Sequence, residues 1–312
     1  MSPRGPTNIA ASIRQRLLNL SKERNEPFNL FLDRFVAERL LYRLSVSQHA
    51  DGFVLKGALL FLLWSESLSR PTRDVDLLGF GNSAVGEIER VFRDVCRISV
   101  DADGLVFDAD SVKGINIRED QAYEGVRITL LAFLGTARLP VQIDIGFGDA
   151  ITPDAEAAEF PATLVAANLP VAKLSAYPRE TVIAEKLEAM VTLGLANSRM
   201  KDFHDLAVLA RNFPFDGPTL ARAVESTFAR RRTTVPTETP VALTADFARD
   251  AAKAVQWTSF LKRSAIRSAP ELSEVTDLLA QFLLPVLAAI RERGEFQRQW
   301  QPGGSWKQSV RR

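Results

Sequence analysis

The sequence predicts a mixed α/β (α+β) protein in which a core built on a mixed sheet is flanked by N-terminal helices and followed by a helical domain. Three observations support this prediction. Apolar residues recur at helical spacing over residues 9–20 and 28–44. Segments that alternate or run apolar, as strands do, fall between residues 51 and 149. From residue 178 onward the helical spacing returns.

Composition narrows the class of protein. A chain of 312 residues can bury a sizeable core and is long enough for two closely packed domains. The formal net charge of +1 argues against a protein that coats nucleic acid, although it permits one local basic groove. The single cysteine, Cys96, excludes an internal disulfide framework, so we expect the protein to be cytoplasmic.

Domain boundaries follow from the distribution of proline and glycine. We predict N-terminal helices and a core over residues 1–150, a helical domain over 151–290, and a basic, flexible tail over 291–312. The most apolar segment, residues 278–290, is too short to cross a bilayer of about 30 Å, so no membrane partner is expected. The first residues lack the charged and apolar pattern of a secretory signal, so we do not expect secretion.

Two aspartates mark the first candidate site. Residues 74–78 read as a strand, in which Asp74 and Asp76 share one face and Val75 and Leu77 share the other. Adjacent like charges are unfavourable unless a cation lies between them, and a hard divalent ion with oxygen ligands meets that need. The alternative is that both carboxylates are solvated or paired with Arg70 and Arg73.

Two further segments extend this pattern. Residues 139–149 form another strand pattern, whose face opposite the apolar positions carries Gln142 and Asp144. Residues 52–60 read as a strand, a turn at Gly57 and an apolar helical start, and backbone amides at such a turn can hold phosphate oxygens. Together, the three segments predict a phosphate-binding turn, a pair of acids and a third acid.

Five segments in this order resemble the AbiEii/AbiGii toxin family, which belongs to the polymerase β type of nucleotidyltransferases. The resemblance covers roughly residues 8–257. The segments that carry it are FVLKGA (53–58), RPTRDVDL (70–77), QIDIGFGD (142–149), AEKLEAM (184–190) and SRMKDFHDL (198–206). One departure is Gly57-Ala58, because the wider superfamily has a Gly-Ser pair whose hydroxyl can help to hold a phosphate.

The resemblance implies a polymerase β-like fold and a set of site residues. Asp74, Asp76 and Asp144 would bind Mg²⁺ or, in its place, Mn²⁺. The alternative role of Asp144 is that of the base toward an acceptor hydroxyl. Lys186 would bind the triphosphate and Asp202 would orient it. The implied nucleotide-binding residues are Lys56, Gly57, Thr72, Arg73, Lys186 and Asp205. Without the resemblance, the sequence favours a Lys186 side chain that snorkels to water. It then also favours solvated carboxylates at Asp202 and Asp205.

The resemblance also implies the function. The resemblance implies a toxin of a toxin-antitoxin or phage-abortive-infection pair. Such a toxin would transfer a nucleoside monophosphate from an NTP to RNA, and the tRNA acceptor end is the preferred candidate for the acceptor. Pyrophosphate release and growth arrest follow, and a separately encoded antitoxin neutralises the toxin, with or without direct contact. The alternatives are transfer to a protein acceptor, a metal-dependent nuclease, and a nucleotide- or RNA-binding module without catalysis.

Several basic residues leave two interpretations open. The arginines of the N-terminal helices favour a solvated helix surface over RNA contact. Arg230, Arg231 and Arg232 fit an RNA contact and a solubilising helix end equally well. The basic tail carries Trp300 and Trp306, which could stack bases, but the break at residues 302–305 favours flexibility. The arginines in question in the N-terminal helices are Arg14, Arg16, Arg34, Arg39 and Arg43.

One expectation about variants follows from these predictions. Asp74, Asp76 and Lys186 are all predicted to line a cleft, and none of them is predicted to fill a core. Replacing any of the three is therefore expected to abolish transfer and to leave the fold intact.

Overall fold

A computed structural model of the chain describes residues 8–65, 70–120, 123–266 and 268–308, without the side chains of 118–120, 123 and 124. The chain divides into two units. The first unit contains the residues up to Gly148 and the segment Glu156–Ala176. The second unit contains Asp149–Ala155 and the residues from Tyr177 onward.

Among the described residues, four helices belong to the first unit. The Oδ1 atom of Asn8 accepts a hydrogen bond of 3.0 Å from the backbone N–H of Ala11 and so caps the first helix. Asn25, in the left-handed region, ends that helix. The helices are α1 (Ile9–Arg24), α2 (Phe28–Ser45), α3 (Phe61–Trp64) and α4 (Val85–Arg97).

The sheet of the first unit has seven strands in the order β3-β4-β5-β2-β1-β7-β6. The pairs β2/β5 and β1/β7 are parallel, and the other neighbours are antiparallel, which confirms the predicted mixed sheet. The strands are β1 (Phe53–Lys56), β2 (Asp74–Gly79), β3 (Leu105–Asp120), β4 (Tyr123–Leu134), β5 (Ala137–Phe147), β6 (Glu156–Glu159) and β7 (Lys173–Ala176).

The middle of the chain differs from the prediction in two respects. The alternating and apolar patterns of 105–108 and 115–118 predict two separate strands, but both segments belong to one strand, β3, whose register shifts between Asp108 and Lys113. Beyond the predicted boundary at residue 150, β6 and β7 return to the sheet and pair with each other and with β1. Both segments are short, and prolines surround them, so they carry little periodic signal.

The arginines of α2 are neither solvated nor available to RNA. Arg39 is fully buried, and its Nε donates to Asp103 Oδ2 at 2.9 Å. Arg43 Nη1 donates to the same oxygen at 2.7 Å. Arg34 is also buried, so the predicted solvated surface is wrong for these three residues. A buried partner that is 60 residues away in sequence outweighs the usual preference of arginine for water.

The second unit is mainly helical, as predicted. Its longest helix has one buried face, formed by residues such as Leu279, Phe282 and Val286. This helix is the one among the described residues that length and composition alone would allow to cross a membrane, and 39% of its apolar window is buried inside the protein. The helices are α5 (Arg179–Leu193), α6 (Met200–Asn212), α7 (Gly217–Arg231), α8 (Ala245–Arg249), α9 (Ala251–Arg263) and α10 (Leu272–Glu292).

A small sheet occupies most of the segment that was expected to be a flexible tail. Strand β9 (Arg298–Gln301) pairs with β8 (Phe215–Asp216) and with β10 (Ser305–Gln308). Trp300 is fully buried and donates from Nε1 to the carbonyl of Ala210 at 2.7 Å. The two tryptophans anchor the hairpin instead of offering free faces to bases. Arg311 and Arg312 lie outside the described residues.

Candidate functional site

Strand β2 places Asp74 and Asp76 on one face, as its alternation requires. Both residues are half-buried, whereas Val75 and Leu77 are 1% exposed on the opposite face. In the parallel ladder with β5, Asp74 lies opposite Gln142 and Asp76 lies opposite Asp144. Because residues that are paired across neighbouring strands share a face, the three predicted acids lie on one face of the sheet.

Asp144 is held by an arginine. Arg127 of β4 is paired with it in the ladder and donates from Nε to Oδ1 at 2.7 Å and from Nη2 to Oδ2 at 2.8 Å. Gln142 Nε2 donates to Oδ2 at 3.2 Å. Within the described part of the chain, no group of three or more His, Cys, Asp and Glu side chains could hold a metal ion. The donor chemistry of Asp74 and Asp76 fits a hard divalent cation, but Asp144 is already engaged.

The turn at Gly57 is shaped around Asp76. Gly57 has a φ of +77°, and a Cβ atom there would lie 2.0 Å from Asp76 Oδ2. The backbone therefore approaches the carboxylate as only glycine allows. A 3₁₀ turn, Ala58–Leu60, and the four-residue helix α3 follow, so the expected helical start is short. Lys56 is buried and lies opposite Asp76 in the ladder between β1 and β2.

Thr72 and Arg73 precede the acids. The Thr72 hydroxyl lies 3.5 Å from the carbonyl oxygen of Asp74, which is the geometry of a weak turn contact. The side chain of Arg73 is 78% exposed, and its Nε lies 3.3 Å from Asp33 Oδ2. Arg73 is thus the more accessible of the two residues.

In the second unit, Lys186 connects two aspartates of α6. Its Nζ donates to Asp202 Oδ1 at 2.7 Å and to Asp205 Oδ2 at 2.9 Å. Arg199 Nε donates to Asp202 Oδ2 at 2.6 Å. Asp202 and Asp205 are both fully buried, so the interpretation of them as solvated acids is wrong. Of the two cations that the sequence offers as partners for solvated acids, Arg199 does pair with Asp202, whereas Lys201 is exposed.

The charge balance of this group favours the ionised form of Asp202. Burial alone would raise the pKa of its carboxyl, but the positive charges of Lys186 and Arg199 outweigh burial and hold that pKa below its usual range. Asp202 therefore remains a carboxylate that fixes the Lys186 ammonium in place.

Sequence reasoning did not assign two arginines that the structure places in ion-pair networks. Arg231 is neither an RNA contact nor a solubilising helix end, because its side chain is only 10% exposed and pairs with Asp149 at 3.2 Å and with Glu188 at 2.9 Å. Its pKa is raised: burial acts to lower it, but neighbouring acids, Glu185 foremost, prevail. Helical spacing from the buried Leu220 and Val224 placed Arg231 on the inner stripe of α7, which was a usable signal. For Arg127 the usable signal was strand alternation, which placed it on the face of β4 opposite the buried Val126 and Ile128.

A groove of about 630 Å³ lies beside Asp74 on the same unit. Its lining mixes cationic, acidic and hydroxyl or amide side chains. Asp110 is 3.9 Å from Arg97, and the Asp108 carboxylate accepts the backbone N–H of Asp110, so both acids have local partners. The charged and polar lining residues are Arg73, Asp74, Asp108, Asp110, Ser111, Lys113, Thr129, Arg138 and Gln142.

Comparisons with known proteins give one family match. Residues 39–278 match the family described as "Nucleotidyl transferase AbiEii toxin, Type IV TA system". The solved structure of JHP933 from Helicobacter pylori is 15% identical with a TM-score of 0.45, and the alignment covers 82% of this chain and 90% of that chain. MenT4, a nucleotidyltransferase toxin from Mycobacterium tuberculosis, is 17% identical with a TM-score of 0.48, covering 93% and 100% respectively. No curated protein matches the sequence.

Proposed function

The chain belongs to the AbiEii family of nucleotidyltransferase toxins of type IV toxin-antitoxin systems. On that premise we propose that it transfers a nucleoside monophosphate from an NTP to RNA, with the tRNA acceptor end as the preferred acceptor. The observation that supports the chemistry is the shared face of Asp74 and Asp76, against which the Gly57 turn is shaped. Two like charges on one strand face favour a cation that they can share, and a hard divalent ion meets that need.

Asp74 and Asp76 are the residues that would hold Mg²⁺ or Mn²⁺. When bound there, the ion would neutralise phosphate charge and polarise the reacting phosphoryl group. The acceptor hydroxyl attacks the α-phosphorus, the bond to the bridging oxygen breaks, and pyrophosphate leaves. The hydroxyl proton passes to water. Because the acceptor oxygen displaces pyrophosphate directly, no covalent protein intermediate is needed.

Lys186 is assigned to the triphosphate in this proposal. Its ammonium group is fixed by two hydrogen bonds to Asp202 and Asp205 and retains 14% exposure. An ammonium held in this way meets a phosphate without first losing side-chain freedom, which favours electrostatic stabilisation of developing charge. Asp202 and Asp205 act as positioning residues for Lys186.

The groove beside Asp74 supports a polyanionic acceptor. Three of its lining residues, Arg73, Lys113 and Arg138, are exposed cations. Phosphate contacts supply most of the affinity of proteins for nucleic acid, and Thr129 and Gln142 add hydrogen-bonding groups on the same face. RNA is therefore the acceptor class that we favour.

The cellular role follows from family membership. Transfer to tRNA would stop translation in the cytoplasm and arrest growth, and a separately encoded antitoxin would relieve that arrest. Expression of the wild-type chain should stop growth, whereas expression of an Asp76→Asn variant should not.

The direct test is a labelling experiment. Purified protein is incubated with Mg²⁺, total cellular RNA and total protein, and each α-labelled NTP in turn, with Asp76→Asn alongside. Glu156→Gln, which changes an exposed acid on β6 of the same sheet, is the matched control. We expect label on a small RNA with one nucleotide, equal for wild type and Glu156→Gln and absent for Asp76→Asn.

Other outcomes of this experiment would change the proposal. Label on a protein would replace RNA as the acceptor. RNA shortening without pyrophosphate release would indicate a nuclease. A folded wild-type protein that labels nothing would leave nucleotide or RNA binding without catalysis.

A further inference from the structure

Arg127 has a geometry that the proposed mechanism does not yet use. Its guanidinium forms a two-pronged pair with Asp144, because Nε and Nη2 each donate to a different carboxylate oxygen. The Asp144 side chain is only 13% exposed, whereas that of Arg127 is 36% exposed. Planar arginine and carboxylate groups matched in this way form one of the stronger ion pairs available to proteins.

The pair leaves Asp144 little capacity for a metal ion. An ionised carboxylate offers roughly four lone-pair sites. Three donors already occupy the two oxygens, two from Arg127 and one from Gln142. A divalent cation at Asp144 would have to displace a guanidinium and would then lie next to that positive charge. Asp144 therefore does not fit the role of metal ligand or base that the family resemblance implies.

The same ladder places Arg127 on the sheet face that carries Asp74 and Asp76. Asp76, Asp144 and Arg127 are in register on β2, β5 and β4. Neighbouring strands lie about 4.8 Å apart, so the row is short. The hydrogen bond with Asp144, followed by the charges of Asp144, Asp74 and Asp76, raises the pKa of Arg127. The guanidinium thus supplies a permanent positive charge within the field of all three acids.

We propose that Arg127 takes the position that a second metal ion would otherwise occupy, so that the protein binds one divalent cation through Asp74 and Asp76. Asp144 is then a positioning residue that fixes the guanidinium. The remaining nitrogen, Nη1, faces the substrate as a donor for a phosphate oxygen. This last role rests on the proposed function, whereas the number of bound ions does not.

Metal stoichiometry tests the inference without any transferase assay. The full chain is titrated with Mn²⁺, and free Mn²⁺ is followed by electron paramagnetic resonance. We expect one ion for wild type, one ion for Asp144→Asn, and loss of binding for Asp76→Asn. In Arg127→Met the released Asp144 carboxylate should add a second ion or raise the Mn²⁺ affinity at least tenfold.

Two further variants serve as controls for Arg127→Met. Arg127→Lys keeps the charge but cannot match both carboxylate oxygens, so it should bind Mn²⁺ with an affinity between those of wild type and Arg127→Met. Arg93→Met removes an arginine that pairs with Glu89 at 2.8 Å elsewhere in the same unit and should bind one ion. Circular dichroism verifies that each variant is folded.

The outcomes separate this inference from the proposed function. Two ions in wild type, with one lost in Asp144→Asn, would overturn the role of Arg127 and leave the transferase proposal in place. An Arg127→Met variant that still binds one ion with wild-type affinity would also overturn it. A wild-type chain that binds no Mn²⁺ would remove the metal from both proposals.

Discussion

The aspartate pair of β2 and the aspartate pair of α6 have similar chemistry but opposite environments. Asp74 and Asp76 are half-buried on a sheet face. Asp202 and Asp205 are fully buried and share the ammonium group of Lys186. The first pair keeps access to solvent. The second pair depends on a cation that the chain itself supplies.

We therefore expect substitutions in the β2 pair to affect activity and substitutions in the α6 group to affect stability. Removing a charge from a half-buried pair relieves repulsion, so the fold should tolerate it. Removing the cation from the buried pair takes the ammonium partner from Asp205 and leaves Asp202 with Arg199. Breaking a buried ion pair in this way is among the costliest single changes in a protein. The expectation that variants of Asp74, Asp76 and Lys186 all leave the fold intact therefore needs revision for Lys186.

The largest expected effect is on activity, at the β2 pair. Asp76→Asn should lower the transfer rate by roughly 10³-fold or more, about 4 kcal/mol of transition-state stabilisation, because the metal loses a charged ligand. The free energy of unfolding should change by less than about 1 kcal/mol. Initial rates of label incorporation and urea denaturation give the two values. Unfolding of this variant would show that the β2 pair is structural.

The next effect is on stability, at the α6 pair. Lys186→Met should lower the free energy of unfolding by roughly 3–5 kcal/mol, because Asp202 and Asp205 lose their shared partner. Urea denaturation measures the change. The exposed Lys201→Met on the same helix should change it by less than about 0.5 kcal/mol.

A double variant sharpens this second prediction. Adding Asp205→Asn to Lys186→Met removes one of the two buried carboxylate charges and should recover part of the lost stability without recovering transfer. If Lys186→Met is as stable as wild type and inactive, the contrast between the two pairs fails, and Lys186 serves function alone.

A smaller effect is expected at the turn that supports the β2 pair. Gly57→Ala should destabilise the protein by roughly 1–3 kcal/mol, because an alanine is strained at a φ of +77° and its Cβ would meet Asp76 Oδ2. The transfer rate should also fall as the carboxylate moves. Gly52→Ala is the matched control, since a Cβ there meets nothing within 4 Å. Equal stability of the two variants would contradict this prediction.

The sequence predicted the parts of both pairs that depend on periodicity. Alternation placed Asp74 and Asp76 on one face, and the order of apolar segments gave the mixed sheet with flanking helices. The resemblance to the family supplied the association of Lys186 with Asp202. These features depend on local spacing or on motifs, both of which can be read from one chain.

The partners that neutralise the charges could not be predicted in the same way. Arg127 precedes Asp144 by 17 residues and Arg39 precedes Asp103 by 64. Local spacing does not specify which distant cation reaches a given carboxylate, because register and packing decide it. The hairpin around Trp300 was missed for the same reason, since its anchoring contacts lie up to 90 residues away.

The smallest effect is expected in the acid dependence of stability, where the α6 pair differs from an ordinary exposed carboxylate. The folded-state pKa of Asp202 lies below its unfolded value, because Lys186 and Arg199 outweigh burial. A carboxyl of this kind contributes stability above its unfolded pKa and loses that contribution as the pH falls through the folded pKa. Between those two values each such group adds at most about 1.4 kcal/mol per pH unit to the slope.

Urea denaturation from pH 7 down to pH 2 measures this slope. Wild type should lose stability on the acid side, and Asp202→Asn should show a shallower decline, because the unfolded state no longer takes up that proton. Asp277→Asn, an exposed change on α10 of the same unit, is the control. If Asp202→Asn keeps the full wild-type slope, Lys186 and Arg199 do not lower the pKa of the Asp202 carboxyl. The α6 pair would then differ from the β2 pair in burial alone.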